Sequence, residues 1–119
     1  MSLTIYHNPR CSKSRQTLSI LENARVDFAI VEYLKQPPSP ERLLEIAAML
    51  DLPLAELLRR GEPAFKQADN LPELDDGSAL AAWLSKNPSV LQRPIVVDDA
   101  HRRAAVGRPP ENVEELLQR

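Results

Sequence analysis

The chain holds one cysteine, Cys11, within Ile5-Tyr6-His7-Asn8-Pro9-Arg10-Cys11-Ser12-Lys13-Ser14-Arg15. The reactive form of cysteine is the thiolate, and nearby positive charge favours it, so a lone thiol among basic neighbours is a candidate nucleophile. Arg10 precedes Cys11 and Lys13 follows two residues on. Arg15 is four residues on, which on a helix returns it to the same face. Leu3-Thr4-Ile5-Tyr6 reads as a short buried strand, and Asn8-Pro9 forces a turn. From Ser12 onward, Thr17, Leu18, Leu21 and Ala24 mark one helix face. Cys11 is therefore expected at the N-terminus of the first helix, or one residue before it. Unpaired N–H groups and the helix macrodipole stabilise a thiolate there, and the same groups can cradle an oxyanion. Bland readings stand beside these. A lone cysteine is often a small buried hydrophobe. His7 is either a surface imidazole at a strand end or a cationic or hydrogen-bonding neighbour of the thiolate.

Three arginines are expected at element ends rather than mid-face: Arg59, Arg93 and Arg108. The planar guanidinium makes paired hydrogen bonds to a tetrahedral oxyanion and does not lose its charge. They are equally readable as ordinary solvated charges, like Arg60, Arg102 and Arg103. A tyrosine-phosphatase loop places an arginine six residues after its cysteine; that position is Thr17, which argues against this chemistry. A dithiol oxidoreductase needs a second cysteine at position 14, which is Ser14. Its hydroxyl is a possible hydrogen-bond donor to the Cys11 thiolate.

Composition narrows the field. A chain of 119 residues with 43% hydrophobic content suits a single domain with one core. A formal net charge of −2 gives no basic field for nucleic acid. There is no apolar run long enough to span a bilayer. The first strand follows Met1 and Ser2 so closely that no signal peptide is expected, and the reducing cytoplasm is the expected location. A single cysteine excludes an internal disulfide, a Cys-x-x-Cys pair and a cysteine-rich zinc site. It also means that an oxidised or adducted Cys11 must be restored by an external thiol.

The elements that must position these residues follow in order. Phe28 to Leu34 reads as a second strand, completing a β-α-β unit with parallel pairing. Gln36-Pro37-Pro38-Ser39-Pro40 is a stop, with Ser39 as N-cap of a helix carrying Leu43, Leu44, Ile46, Ala47 and Leu50. A short helix from Leu54 to Arg60 is expected to close on Gly61 as C′ residue. Another short helix is expected from Pro63 to Asn70. Ser78 is expected to cap a further one carrying Leu80, Trp83 and Leu84. Strand signals return at Pro94 to Asp98 and at Arg102 to Val106, as an antiparallel hairpin, before a last helix with Val113, Leu116 and Leu117. The order predicts a thioredoxin-like α/β fold: a mixed four-stranded sheet, helices on both faces, and a helical insertion at about residues 39–88. In such a fold Cys11 faces the loop Gln92-Arg93-Pro94, where a cis peptide is possible.

Taken together, the His7 to Cys11 loop with Ser14-Arg15, Tyr33-Leu34 before Pro37-Pro38-Ser39, Leu57-Leu58-Arg59, Arg93-Pro94-Ile95-Val96-Val97 and Gly107-Arg108-Pro109 resemble the ArsC-type, glutaredoxin-coupled arsenate reductase family. The resemblance spans essentially the whole chain. It implies Cys11 as nucleophile, His7 as its supporting histidine and Arg59, Arg93 and Arg108 as the oxyanion-binding arginines, with Ser14 and Arg15 in support. The implied reaction begins with Cys11 attacking arsenate to form an S–As adduct. Glutathione, a co-substrate, displaces and reduces the arsenic, and glutaredoxin resolves the remaining Cys11–glutathione disulfide. No bound cofactor, metal, nucleic acid or membrane is implied, and a monomer is expected. Family members usually read Cys-Gly-Thr-Ser-Arg where this chain reads Cys11-Ser12-Lys13-Ser14-Arg15, which is similar to the YfgD-type branch. Two alternatives share the fold: an Spx-like regulator that binds RNA polymerase, against which Ser14 in place of a second cysteine argues, and a monothiol protein that exchanges glutathione without arsenate turnover.

Overall fold

The structure, a computed structural model, describes residues 2–117. The chain divides into two compact units. One combines the segment up to Gln36 with the segment from Arg93 onward; the other is Pro37–Gln92. The second is one uninterrupted segment, and the first is made of two.

The first unit is built on β1 (Ser2–His7), α1 (Ser12–Asn23), β2 (Asp27–Glu32), β3 (Ile95–Asp98), β4 (Arg103–Val106) and a last helix of 3-10 type, Pro110–Leu117. The sheet order is β2-β1-β3-β4. β1 and β2 run parallel, whereas β3 is antiparallel to both β1 and β4. This is the mixed sheet of the expected thioredoxin-like fold. Every residue of β3 is buried, as its apolar run requires of a central strand. Leu3 and Ile5 of β1, Val96 of β3 and Ala105 of β4 pack with Leu21 of α1 and with Val113 and Leu116 of the last helix. Burying each of the larger aliphatic side chains stabilises the unit by roughly 1.5–3 kcal/mol.

β2 stops at Glu32 rather than reaching Leu34. Glu32 pairs with His7, the last residue of β1, so no partner remains further on. The chain turns there, with Lys35 N and Gln36 N both bonded to Glu32 O at 2.9 Å. On α1 the buried face is Ser14, Thr17 and Leu21. Ala24 lies beyond the helix as its C-cap and is exposed.

In the second unit, α2 (Pro40–Leu50) starts as expected, with Ser39 Oγ accepting from Arg42 N at 3.1 Å. The segment from Leu54 does not form a helix to Arg60. A 3-10 turn covers Leu54–Leu57, and Leu58 then forms an antiparallel bridge with Leu91. Arg59 N donates to Val90 O and Gln92 N donates to Leu57 O, both at 2.7 Å. Leu57, Leu58, Val90 and Leu91 are all buried, so tertiary pairing overrides the weak tendency of a very short helix. Gly61 is not a left-handed C′ residue. α3 is only Pro63–Lys66. α4 (Gly77–Lys86) buries Leu80, Trp83 and Leu84 as expected, but its cap is Asp76, whose Oδ1 accepts from Ala79 N at 3.1 Å. Ser78 lies inside the helix. Among the described residues, no helix is long and apolar enough to cross a membrane.

Candidate active site

Four residues carry the chain from β1 into α1. Asn8 Oδ1 accepts from Arg10 N at 3.0 Å, and Asn8 O accepts from Cys11 N at 3.0 Å. This is the local side-chain turn that asparagine favours. Arg15 N donates to Cys11 O at 3.0 Å, which makes Cys11 the extended N-cap of α1. Cys11 thus lies one residue before the first helical residue, the second of its two expected positions.

Ser14, in the first turn of α1, is buried against this loop. Its Oγ accepts from Asn8 N at 3.0 Å and lies 2.6 Å from His7 Nδ1. The expected bond from the Ser14 hydroxyl to the thiolate is therefore replaced by the bond to His7, and the Ser14 backbone N–H serves the sulfur instead. His7 is only 5% exposed, which removes the surface reading. Burial lowers its pKa, Glu32 partly opposes this, and the Arg15 charge lowers it further. Burial thus favours the neutral, hydrogen-bonding form of His7 over the cationic one. Arg15 does not return to the thiol; its Nη1 donates to Pro9 O at 2.9 Å and braces the loop.

The positive charge at the sulfur comes from across the sheet. Arg108 Nη2 donates to Cys11 Sγ at 3.4 Å, and its Nε donates to Arg93 O at 2.7 Å. The Arg93 side chain also favours the thiolate. Burial pushes the Cys11 thiol up. The Ser14 N–H, the Arg93 side chain, the Arg108 charge and the Lys13 N–H together outweigh it and hold the thiol below its ordinary value. The Arg93–Pro94 peptide is cis, and so is Arg108–Pro109.

Gly107 allows this close approach. Its N–H donates to Pro94 O at 2.9 Å. A Cβ there would overlap Thr17 Oγ1 and lie 2.7 Å from Pro94 Cγ. Thr17, read from sequence as part of an apolar stripe, is a buried polar residue whose Oγ1 donates to Lys13 O at 2.9 Å. Neither its role nor that of Asn8 in shaping the loop was recognised beyond the Asn-Pro turn signal.

A cleft of about 370 Å³ opens beside His7, with Asn8, Arg10, Glu32 and Lys35 on its wall. Arg59 belongs to the second unit. Its Nη1 donates to Gln92 Oε1 at 3.2 Å, and its Nε lies 3.7 Å from Glu62 Oε2. These residues line a separate cavity of about 330 Å³. Among the described residues, no three His, Cys, Asp or Glu side chains gather as a metal site.

The arrangement in the first unit is a thiol at a helix cap, with the Arg93 and Arg108 side chains favouring its thiolate form and a buried histidine beside the loop. Chemically, such a thiol can act as a nucleophile, and such donors can bind an anion. The ArsC family profile matches residues 6–116. The chain is 42% identical over 118 residues to a protein named arsenate reductase from Neisseria meningitidis serogroup A, covering 97% of each. It is 40% identical over 114 residues to YfgD of Escherichia coli K12, covering 95% of this chain and 94% of that one. A solved structure described as an arsenate reductase from Vibrio cholerae superposes with a TM-score of 0.84 at 40% identity, covering 97% of both chains. The chain thus belongs to the ArsC family.

Proposed function

We propose that this protein is an arsenate reductase in which Cys11 is the nucleophile. The observation that carries the reading is the 3.4 Å contact between Arg108 Nη2 and Cys11 Sγ at the cap of α1. A donor that stabilises the thiolate in the resting site is also beside the oxyanion when sulfur attacks. The thiolate attacks arsenic, an S–As bond forms, and an arsenate oxygen leaves as water after taking up protons. A glutathione thiolate then attacks the Cys11 sulfur. The S–As bond breaks, its electron pair stays on arsenic, and arsenite leaves. Arsenic gains two electrons as two thiols become the Cys11–glutathione disulfide. A glutaredoxin thiol attacks the glutathione sulfur and releases Cys11 as thiolate.

The coupling to glutathione and glutaredoxin is supported by the absence of a second cysteine, because no internal thiol can resolve the adduct. Arg93 is proposed as the second anion ligand because its side chain favours the Cys11 thiolate and its carbonyl holds Arg108 Nε at 2.7 Å. The anion-binding role of Arg59 rests on the family resemblance, and Arg59→Ala tests it through the KM for arsenate.

The direct experiment is arsenite production from arsenate with glutathione, glutaredoxin and a glutathione-recycling system. The wild type is expected to turn over and Cys11→Ser to show none. Wild-type protein that loads glutathione onto Cys11 but makes no arsenite would replace this reading with thiol exchange alone.

A further inference from the structure

The loop Gly107-Arg108-Pro109 between β4 and the last helix carries Arg108 to the Cys11 sulfur. Three carbonyl acceptors in and beside this loop, those of Val106, Arg108 and Pro109, converge on one residue outside it, Asn112. Its Nδ2 donates to Val106 O at 3.2 Å and to Arg108 O at 3.1 Å. Its backbone N donates to Pro109 O at 3.0 Å. Both hydrogens of the side-chain NH2 are thus committed to carbonyl oxygens, a pair of donors that alanine or aspartate cannot supply. Asparagine is a weak helix former, so helix propensity does not account for its place in the first turns of the last helix.

We propose that Asn112 is a positioning residue for the anion site: it pins the backbone on both sides of Gly107 so that the Arg108 guanidinium stays on the Cys11 sulfur. The inference deepens the reading of the site given above. The contact it protects is a long one, 3.4 Å from nitrogen to sulfur, and displacements of about 1 Å at a reacting group are enough to degrade a site. The other brace, Arg108 Nε to Arg93 O, fixes the side chain only if the backbone that bears it stays in place. An aliphatic side chain at 112 leaves two carbonyls without their donor and frees the loop to drift.

The test is the pH profile of Cys11 alkylation by iodoacetamide in wild type, Asn112→Ala, Arg108→Ala and the double variant. Val113→Ala is the control, since Val113 is a buried core residue of the same helix that touches none of these bonds. Asn112→Ala is expected to shift the profile towards a free thiol and slow alkylation at pH ~7 by about three- to tenfold, the worth of roughly one hydrogen bond. On the Arg108→Ala background the same substitution is expected to add nothing, because its effect passes through Arg108. Val113→Ala is expected to lower the melting midpoint and leave the profile unchanged. An Asn112→Ala profile identical to wild type would overturn the proposal, and so would an equal shift on both backgrounds. If the alanine variant does not fold, Asn112→Ser, too short to bridge both carbonyls, carries the same comparison. The readout needs no arsenate, so a wild type without arsenate turnover would defeat the reductase reading and leave this comparison intact.

Discussion

At Cys11 two opposing effects meet. Burial disfavours the thiolate, while two backbone N–H groups and two arginines favour it and prevail. Because the folded value lies below the unfolded one, the thiolate contributes stability above the ordinary thiol pKa of about 8.5 and loses it as pH falls through the folded value. The stability difference between wild type and Cys11→Ser is therefore expected to widen as pH rises from neutral to about 9, in melts recorded across that range. His7 is also lowered, by burial first. Its neutral form contributes stability above about pH 6.5, and this is lost as pH falls through the folded value. Melts between pH ~7.5 and ~5.5 are expected to fall more steeply in wild type than in His7→Gln. Arg108→Lys keeps the charge but loses the fork that reaches both Arg93 O and the sulfur; a rise of about tenfold in the KM for arsenate is expected. A KM unchanged by that substitution would remove Arg108 from the anion site. From sequence, Cys11 and its basic flank were legible. Spacing alone did not show the source of the charge, because Arg15 turns to Pro9 O while Arg93 and Arg108, selected only through the family resemblance, arrive from 82 and 97 positions away.

At the scale of elements, the site depends on the close crossing of α1 and the β4–helix loop. Gly107→Ala is expected to destabilise the fold by about 1–3 kcal/mol, as overpacking does, and to slow Cys11 alkylation by moving Arg108. Denaturant melts and alkylation rates check the two effects separately. A second tie lies at the end of β3. Asp98 is fully buried and accepts from Arg103 Nη2 at 3.2 Å, and the same Nη2 reaches Leu116 O at 3.3 Å. Burial pushes Asp98 up, but Arg103 and His101 hold it below the ordinary carboxylate value. Its contribution to stability is thus present above about pH 4 and lost as pH falls through the folded value. Asp98→Asn is expected to lower the melting midpoint at pH ~7 and to flatten the acid limb. Periodicity located α1, α2, α4 and all four strands. It failed where tertiary partners decided: at β2, which ends with β1 at His7, and at Leu58, which pairs with Leu91 instead of continuing a helix.

Across the whole molecule, the single cysteine determines how a catalytic cycle must close. With arsenate and glutathione but no glutaredoxin, the protein is expected to accumulate with one glutathione on Cys11, read by intact mass. The fold was legible because its β-α-β and β-β-α halves follow one another around a helical segment. The anion site was legible only as arginines at element ends, since chain order does not show which side chains reach the sulfur. The central claim is that Cys11 is an arginine-held thiolate within an oxyanion site. The most direct measurement is the rate of Cys11 alkylation against pH, with and without arsenate. The account predicts reaction persisting well below pH ~8.5, as a depressed thiol requires, and marked slowing when arsenate is present. A profile matching free cysteine and indifferent to arsenate would contradict it.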